Sequence, residues 1–140
     1  MLFKCFGITE SRKSFAFETT CATHVHVKTL LKCKETGYRL HLIYLWLPSA
    51  DIAVQRVASR VKEGGHKCSE ETIRRRYISG LKMMLTTYLP LVEKAFIMST
   101  IEDCEIAHGE YHAIAEKTSD VLTVLDHIIW QKMNQMAGEI

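Results

Sequence analysis

The sequence predicts an α/β fold in which helices flank a parallel sheet. Strand-like and helix-like segments alternate along most of the chain, an order typical of parallel sheets with helices on their faces. Residues 38–47, YRLHLIYLWL, are nearly all apolar, as expected for a strand that is covered on both faces. The composition, 47% hydrophobic and 24% charged over 140 residues, is typical of one globular domain with its own core.

The first third of the chain predicts a strand, a helix and a second strand. Residues 14–18, SFAFE, are aromatic and alternate in character, which favours a short strand. Thr19 and Thr20 can cap a helix over residues 21–35, and Gly37 is a plausible C-cap for it. The apolar strand at residues 38–47 then ends at Pro48.

Two helices follow, each with a serine in the capping position. Ser49 precedes a helix that Gly64-Gly65 ends, and Ser69 opens a second helix whose first turn is acidic. Pro90 is expected to kink or end this second helix. Its predicted core stripe comprises Ile73, Tyr77, Leu81, Met84 and Tyr88.

The last third predicts a brief strand, a hairpin and a helix. Residues 95–98 are an apolar strand, and residues 111–116 and 121–125 are two strands joined by a turn at Ser119-Asp120. Asp126 caps the last helix. The residues before the first strand are predicted to form no regular element.

Charge is unevenly distributed along the chain. Residues 1–82 contain fifteen Lys/Arg and seven Asp/Glu, whereas residues 83–140 contain three and nine. A basic half suits a phosphate ligand, but it also fits an internal match with the acidic half or a basic surface for nucleic acid.

The cysteines and the apolar runs indicate the setting of the protein. The five cysteines are odd in number and form no C-x-x-C pair, which favours a reducing cytoplasm without disulfides and argues against a metal site. No signal peptide is evident, and the longest apolar run, LIYLWLP, is too short to span a membrane.

Five arginines surround the Gly64-Gly65-His66 turn. They are Arg56, Arg60, Arg74, Arg75 and Arg76. Like charges four residues apart repel on a helix, and positive charge in the first turns of a helix opposes its dipole. A solvated cationic face is one interpretation of this cluster. A bound phosphate is the other, because the planar guanidinium group matches phosphate oxygens.

These residues, taken together, resemble the zeta-toxin-like P-loop kinases. The resemblance covers roughly residues 14–130 and rests on FAFETT, LHLIYLWLPS, RVASRVKEGGH, ETIRRRY, LTTYLPLVEKAF and GEYHAIAEKTSDVLTVLD. It implies a truncated P-loop-kinase-like sheet with a helical lid and a C-terminal β-hairpin and helix. It also implies an ATP- and Mg²⁺-dependent phosphotransferase that acts on a small hydroxyl substrate such as a nucleotide sugar.

The resemblance also implies roles for individual residues and partners. Lid arginines would contact the transferring phosphate, with Arg60 and Arg76 as the first candidates and Arg56, Arg74 and Arg75 as weaker ones. Glu18, Thr19 and Thr20 would line the substrate side, at the carboxyl end of their strand. The partners would be a nucleotide or phosphorylated small molecule and an antitoxin-type protein, with no membrane and no nucleic acid.

The chain departs from this family where phosphate is held. No glycine is followed by lysine, so the loop G-x-x-x-x-G-K-[S/T] is absent, and with it the magnesium-binding hydroxyl. MSTIEDCE replaces the usual Asp-Asn-Ser stretch after the strand near residue 96. We therefore predict an unmatched segment at residues 1–13 and an incomplete kinase domain at residues 14–140 that is inactive alone. The alternatives are a remnant that binds an anion, an RNA or a partner protein, and a non-functional gene fragment.

Overall fold

A computed structural model describes residues 2–7, 13–100 and 111–138. Within these ranges the chain forms a mixed sheet with helices packed against it. The strands are β1 (Leu2–Gly7), β2 (Phe15–Glu18), β3 (Tyr38–Trp46), β4 (Lys94–Thr100), β5 (Tyr111–Thr118) and β6 (Val121–Val124). The helices are α1 (Val27–Glu35), α2 (Ala50–Lys62), α3 (Glu70–Met83), α4 (Leu89–Leu91) and α5 (His127–Gly138), and a π-helical turn (Met84–Tyr88) joins α3 to α4.

The sheet is mixed, which corrects the prediction of a parallel sheet. Its order is β2-β1-β3-β4-β5-β6, and of its neighbouring pairs only β3 and β4 run parallel. β2, β3 and β4 nevertheless share one direction, because β1 lies antiparallel to both β2 and β3. The alternation of strands and helices predicted these three directions correctly. It could not reveal that an antiparallel strand lies between two of them.

β1 also corrects the prediction that the first residues form no regular element. Leu2 pairs with Glu18 on one side and with Ile43 on the other, and the same register continues to Cys5 on both sides. The segment of residues 2–6 is short, and its apolar residues show little periodicity, so its sequence alone does not indicate a strand. The strand forms because it pairs with a neighbour on each side. The pairing with β3 completes the sheet at the place where β2 and β3 would otherwise be separated.

The core lies between the helices and one face of the sheet. Side chains of β3 alternate, and Leu40, Leu42, Tyr44 and Trp46 are buried beneath the helices. The predicted stripe of α3 meets this face at Leu81, Met84 and Tyr88, which are fully buried. Ile73 and Tyr77, closer to the start of the stripe, are only partly buried.

The serine and aspartate caps and the hairpin confirm the corresponding predictions. Ser49 Oγ accepts a hydrogen bond from Ile52 N (3.3 Å), and Ser69 Oγ accepts one from Thr72 N (3.3 Å). Asp126 Oδ1 accepts one from Ile129 N (2.9 Å) at the start of α5. β5 and β6 pair antiparallel through the predicted turn at residues 119–120.

α1 begins six residues later than predicted, at Val27 instead of residue 21. Cys21 has a φ of 55°, in the left-handed region, which no helix tolerates. Thr19 Oγ1 accepts a hydrogen bond from Cys21 N (3.1 Å), so this threonine stabilises a turn and does not cap the helix.

The long helix made of α3, the π-helical turn and α4 ends just after Pro90, and the π-helical turn accommodates this proline. Proline has no N–H to donate and its ring crowds the preceding turn, so a wider turn relieves the clash. The helix continues as α4 and ends at Leu91. Its last carbonyls then meet a lysine of β5, as described below.

Candidate anion-binding surface

The strands that run in one direction place the predicted substrate residues at one edge of the sheet. β2 ends at Glu18, β3 at Trp46 and β4 at Thr100. We call this the carboxyl edge, since these three strands terminate there. Carboxyl ends of such strands are where α/β sheets commonly bind ligands. Glu18 and Thr20 are exposed at this edge, and Thr19 is partly buried.

α3 lies against the carboxyl edge through two close contacts. Tyr77 donates a hydrogen bond from its hydroxyl to Leu47 O (2.6 Å), just beyond the end of β3. At Gly80 the backbone of the segment after β2 approaches so closely that an added Cβ would lie 2.5 Å from Thr20 O. A side chain at position 80 would clash with this backbone, so glycine is needed where the segment after β2 crosses α3.

Arg76 is the candidate arginine that lies nearest to this crossing along α3. Arg76 and Gly80 are four residues apart on α3, so they share a face and are one turn apart. Arg76 is exposed. The close approach of Thr20 O to Gly80 thus lies one helical turn from an exposed guanidinium group, although the sequence separates Thr20 and Arg76 by more than fifty positions.

Arg74 is the candidate arginine that pairs with carboxylates in the structure. Its guanidinium group donates to Asp51 Oδ1 (2.5 Å) and Glu70 Oε1 (2.7 Å), and these two carboxylates raise the pKa of Arg74 further. Arg74 ties the first turn of α2 to the first turn of α3. These hydrogen bonds use its Nε and Nη2 groups, so Arg74 has a structural role in linking the two helices.

The other four arginines form what we call the arginine surface. It comprises Arg56 and Arg60 on α2 and Arg75 and Arg76 on α3. Arg56 is partly buried and the other three are exposed. Among the residues that the structure describes, no carboxylate pairs with any of these four guanidinium groups. These four cations lie on two helices that pack against each other.

Gly64 and Gly65 form the cap that ends α2. Gly64 N donates to Val61 O (3.1 Å) and Gly65 N donates to Arg60 O (2.8 Å), which is the hydrogen-bond pattern of a Schellman C-cap. Gly64 has a φ of 94°, and a Cβ on Gly65 would lie 2.7 Å from Arg60 O. This cap fixes the backbone at Arg60. The cap alone is enough to explain the glycine pair of the predicted lid, so a bound nucleotide is not needed to explain it.

Four ionisable side chains near the carboxyl edge are buried or partly buried, namely Cys21, Tyr44, Tyr77 and Tyr88. Burial raises the pKa of the Cys21 thiol, of Tyr77 and of Tyr88 to about 12 in each case, and it also raises the pKa of Tyr44. The Trp46 side chain opposes the rise at Tyr77. Tyr88 donates a hydrogen bond to Thr23 O (2.6 Å), which holds the segment before α1 against the helix.

These raised pKa values predict that the protein loses stability in alkaline solution. Above the ordinary values of 9.0 for cysteine and 10.0 for tyrosine, the unfolded chain releases protons that the folded chain retains until about pH 12. We therefore expect the urea midpoint to fall steadily from pH 8.5 to pH 10.5, and Tyr77→Phe to make this fall less steep. A midpoint that does not change over this range would contradict the burial of these groups.

Lys117 is a buried residue that the sequence interpretation missed. Its Nζ donates to Leu89 O (2.8 Å), Val92 O (2.8 Å) and Pro90 O (3.4 Å), at the end of the long helix. Burial lowers the pKa of this ammonium group. The signal was present in β5, where a lysine occupies a position of the alternating pattern that faces the core. It lies at the edge of the sheet opposite the carboxyl edge.

The residues present do not fit an ATP–Mg²⁺ complex. The sequence has no G-x-x-x-x-G-K-[S/T] loop, and Gly37, Gly64 and Gly65 lie at the ends of helices. The described ranges contain no group of three or more His, Cys, Asp or Glu side chains arranged to hold a metal ion. Residues 101–110, where the sequence departs from the kinase pattern, lie outside the described residues. The helices within the described residues are too short or too polar to cross a membrane.

Comparison with known proteins identifies one curated relative. A protein of Haemophilus influenzae, described as an uncharacterized protein, is 32% identical over 63 residues, which is 45% of this chain and 45% of that relative. The alignment thus spans less than half the length of either protein. No family model matches the chain, and no solved structure matches it. The resemblance to zeta-toxin-like kinases therefore stays a prediction from the sequence motifs.

Proposed function

We propose that this chain binds a phosphate-bearing small molecule through the arginine surface at the carboxyl edge, and that it does not transfer phosphate alone. The observation that carries this proposal is the difference between Arg74 and its neighbours. Arg74 is held by two carboxylates, whereas Arg60, Arg75 and Arg76 remain exposed without a carboxylate partner among the described residues. Unpaired guanidinium groups on adjacent helices are suited to multidentate contact with phosphate oxygens.

Kinship to the zeta-toxin-like kinases is part of this proposal. Helices α2 and α3 carry the motifs that resemble the lid of those kinases, and α3 contacts the ends of β2 and β3. Thr20 O lies beside Gly80, one turn of α3 from Arg76, which supports a shared surface for a phosphate and the substrate that carries it. The missing phosphate loop supports binding without catalysis.

Binding should be measured by calorimetry with ATP, ADP and inorganic phosphate at low salt. We expect at least one of them to bind, and the double variant Arg60→Ala with Arg76→Ala to bind about tenfold more weakly or worse, because two charge-assisted contacts are lost. The affinity of the unmodified chain should also fall as salt is added. The matched control is Lys28→Ala with Lys32→Ala, which removes the same charge from exposed positions of α1.

Any of three results would overturn the proposal. If none of the three probes binds at low salt, or if the α1 control weakens binding as much as the arginine variant, the arginine surface is only a solvated face. If the purified chain hydrolyses ATP in the presence of Mg²⁺ and the arginine variant does not, the chain is a catalyst and the binding-only proposal is wrong.

A further inference from the structure

A cavity of about 360 Å³ opens at the edge of the sheet opposite the carboxyl edge. We call it the amino-edge cavity, because β3 and β4 begin beside it. Four segments line it, namely the end of α1, the start of β3, residues 90–93 at the end of α4, and the turn between β5 and β6. Its volume falls within the range that is typical of small-molecule sites.

Hydrogen bonds to the main chain fix the shape of this cavity. Glu93 N donates to Leu40 O (2.9 Å), and Ser119 N donates to Glu93 O (2.7 Å), so residue 93 joins the start of β3 to the turn between β5 and β6. Lys34 Nζ donates to Leu91 O (3.3 Å) and ties the end of α1 to the same place. A cavity that the fold has already shaped requires little ordering when a ligand binds.

The side chains that line the cavity carry more positive than negative charge. The cations are Lys34, Arg39 and Lys117, and the carboxylates are Glu93 and Asp120, which leaves one positive charge in excess. Within the described residues, none of these five side chains forms an ion pair. Arg39 is also exposed and has no side-chain hydrogen bond to the described part of the chain. Its guanidinium group is therefore available to a ligand.

Two of these cations repel each other at the end of α4. Burial lowers the pKa of Lys117, the charge of Asp120 opposes this effect, and the nearby charge of Lys34 adds to it. An anion beside Lys34 would offset the repulsion between the two lysines, whereas a cation would increase it. The cavity therefore favours an anionic ligand over a cationic one.

The cavity also offers apolar surface to a ligand. Leu40 and Val92 are buried and are among its lining residues, together with Pro90 and Leu91. A bare inorganic ion would leave this apolar surface in contact with water. An apolar body attached to the anionic group would cover it, and the removal of apolar surface from water is favourable.

From this geometry we propose that the amino-edge cavity binds a small organic carboxylate. The carboxylate group contacts Arg39 and Lys34, since a planar guanidinium group matches its two oxygens, and the apolar body lies against Pro90 and Leu91. Lys117 contributes charge but no hydrogen bond, because its N–H groups already donate to three main-chain carbonyls. A carboxylate fits better than a phosphate, because one negative charge balances the single positive charge in excess.

The test is a chemical-shift titration of the full chain by NMR at low salt. The probes are isovalerate and benzoate, and their uncharged analogues are isovaleramide and benzamide. We expect at least one acid to shift the amide signals of Leu40, Glu93 and Ser119, which lie at the cavity. Its amide should bind about tenfold more weakly or worse, because the charge-assisted hydrogen bonds are lost.

A pair of double variants identifies the groups that hold the carboxylate. Lys34→Gln with Arg39→Gln should bind the acid about tenfold more weakly or worse, and it should fold because both side chains are exposed. The matched control is Lys28→Gln with Lys32→Gln, which removes the same charge from exposed positions of α1. This control should change the affinity by less than about twofold.

Four results would show that the proposal is wrong. Neither acid shifts the signals at the cavity, or the amides bind as tightly as the acids. Inorganic phosphate, used as a further probe, binds the cavity more tightly than either acid. Finally, the two double variants lose affinity equally, in which case the net charge of the chain and not the cavity attracts the acid.

Discussion

Replacement of Lys117 by methionine is expected to lower the free energy of unfolding by about 2–4 kcal/mol, because the ammonium group satisfies three main-chain carbonyls at a helix end. Carbonyl groups at the end of a helix lack a later N–H group of the same helix that could donate to them. Methionine preserves the length and the apolar stem of lysine, so the variant isolates the loss of the charged donor. Urea unfolding of the variant and of the unmodified chain measures the difference.

Lys34→Met is the control for this prediction. Lys34 Nζ donates to Leu91 O (3.3 Å) at the same helix end, but Lys34 is exposed. Water can replace its single hydrogen bond, so we expect a change below about 1 kcal/mol. If Lys117→Met were neutral or stabilising, the cost of burying the ammonium group would equal or exceed what its hydrogen bonds contribute.

Gly80→Ala is expected to destabilise the protein, although alanine is the better helix former. Propensity favours alanine by about 1 kcal/mol in a helix interior. The added Cβ would lie 2.5 Å from Thr20 O, however, and a main-chain oxygen cannot rotate away as a side chain can. Overpacking of this kind typically costs about 1–3 kcal/mol, and we expect a net loss of about 1–2 kcal/mol. Thermal or urea unfolding measures it.

Gly138→Ala provides the comparison for Gly80→Ala. Gly138 is the last residue of α5, and an added Cβ there meets no atom within 4 Å. Its substitution should leave stability unchanged or raise it by up to about 1 kcal/mol. Equal effects at the two glycines would show that α3 and the segment after β2 can separate without cost.

Local chemistry explains which elements the sequence predicted correctly. Ser49, Ser69 and Asp126 cap helices in the structure because a side-chain oxygen close in sequence satisfies the first free N–H groups. The hairpin of β5 and β6 follows from two strands separated by a two-residue turn. The error at α1 has a tertiary cause, because the turn at Cys21 packs where the chain passes α3 at Gly80.

In the candidate site, too, some features could be predicted from the sequence and others could not. The arginines and residues 18–20 could be selected by residue type, since guanidinium and carboxylate groups at such positions suit phosphate chemistry. The engagement of Arg74 by Asp51 could not be selected, because that carboxylate lies 23 positions away in the chain. The close approach of Gly80 to Thr20 likewise depends on the path of α3 over the carboxyl edge.

The residues alone were sufficient for the element types, most helix ends and the identity of the cationic cluster. These features depend on interactions within a few residues, which a local pattern records. The place of β1, the mixed directions of the sheet, the burial of Lys117 and the close approach at Gly80 depend on which distant segments meet. An apolar strand can pair with many others, and the choice among them is made by the packing of the whole chain.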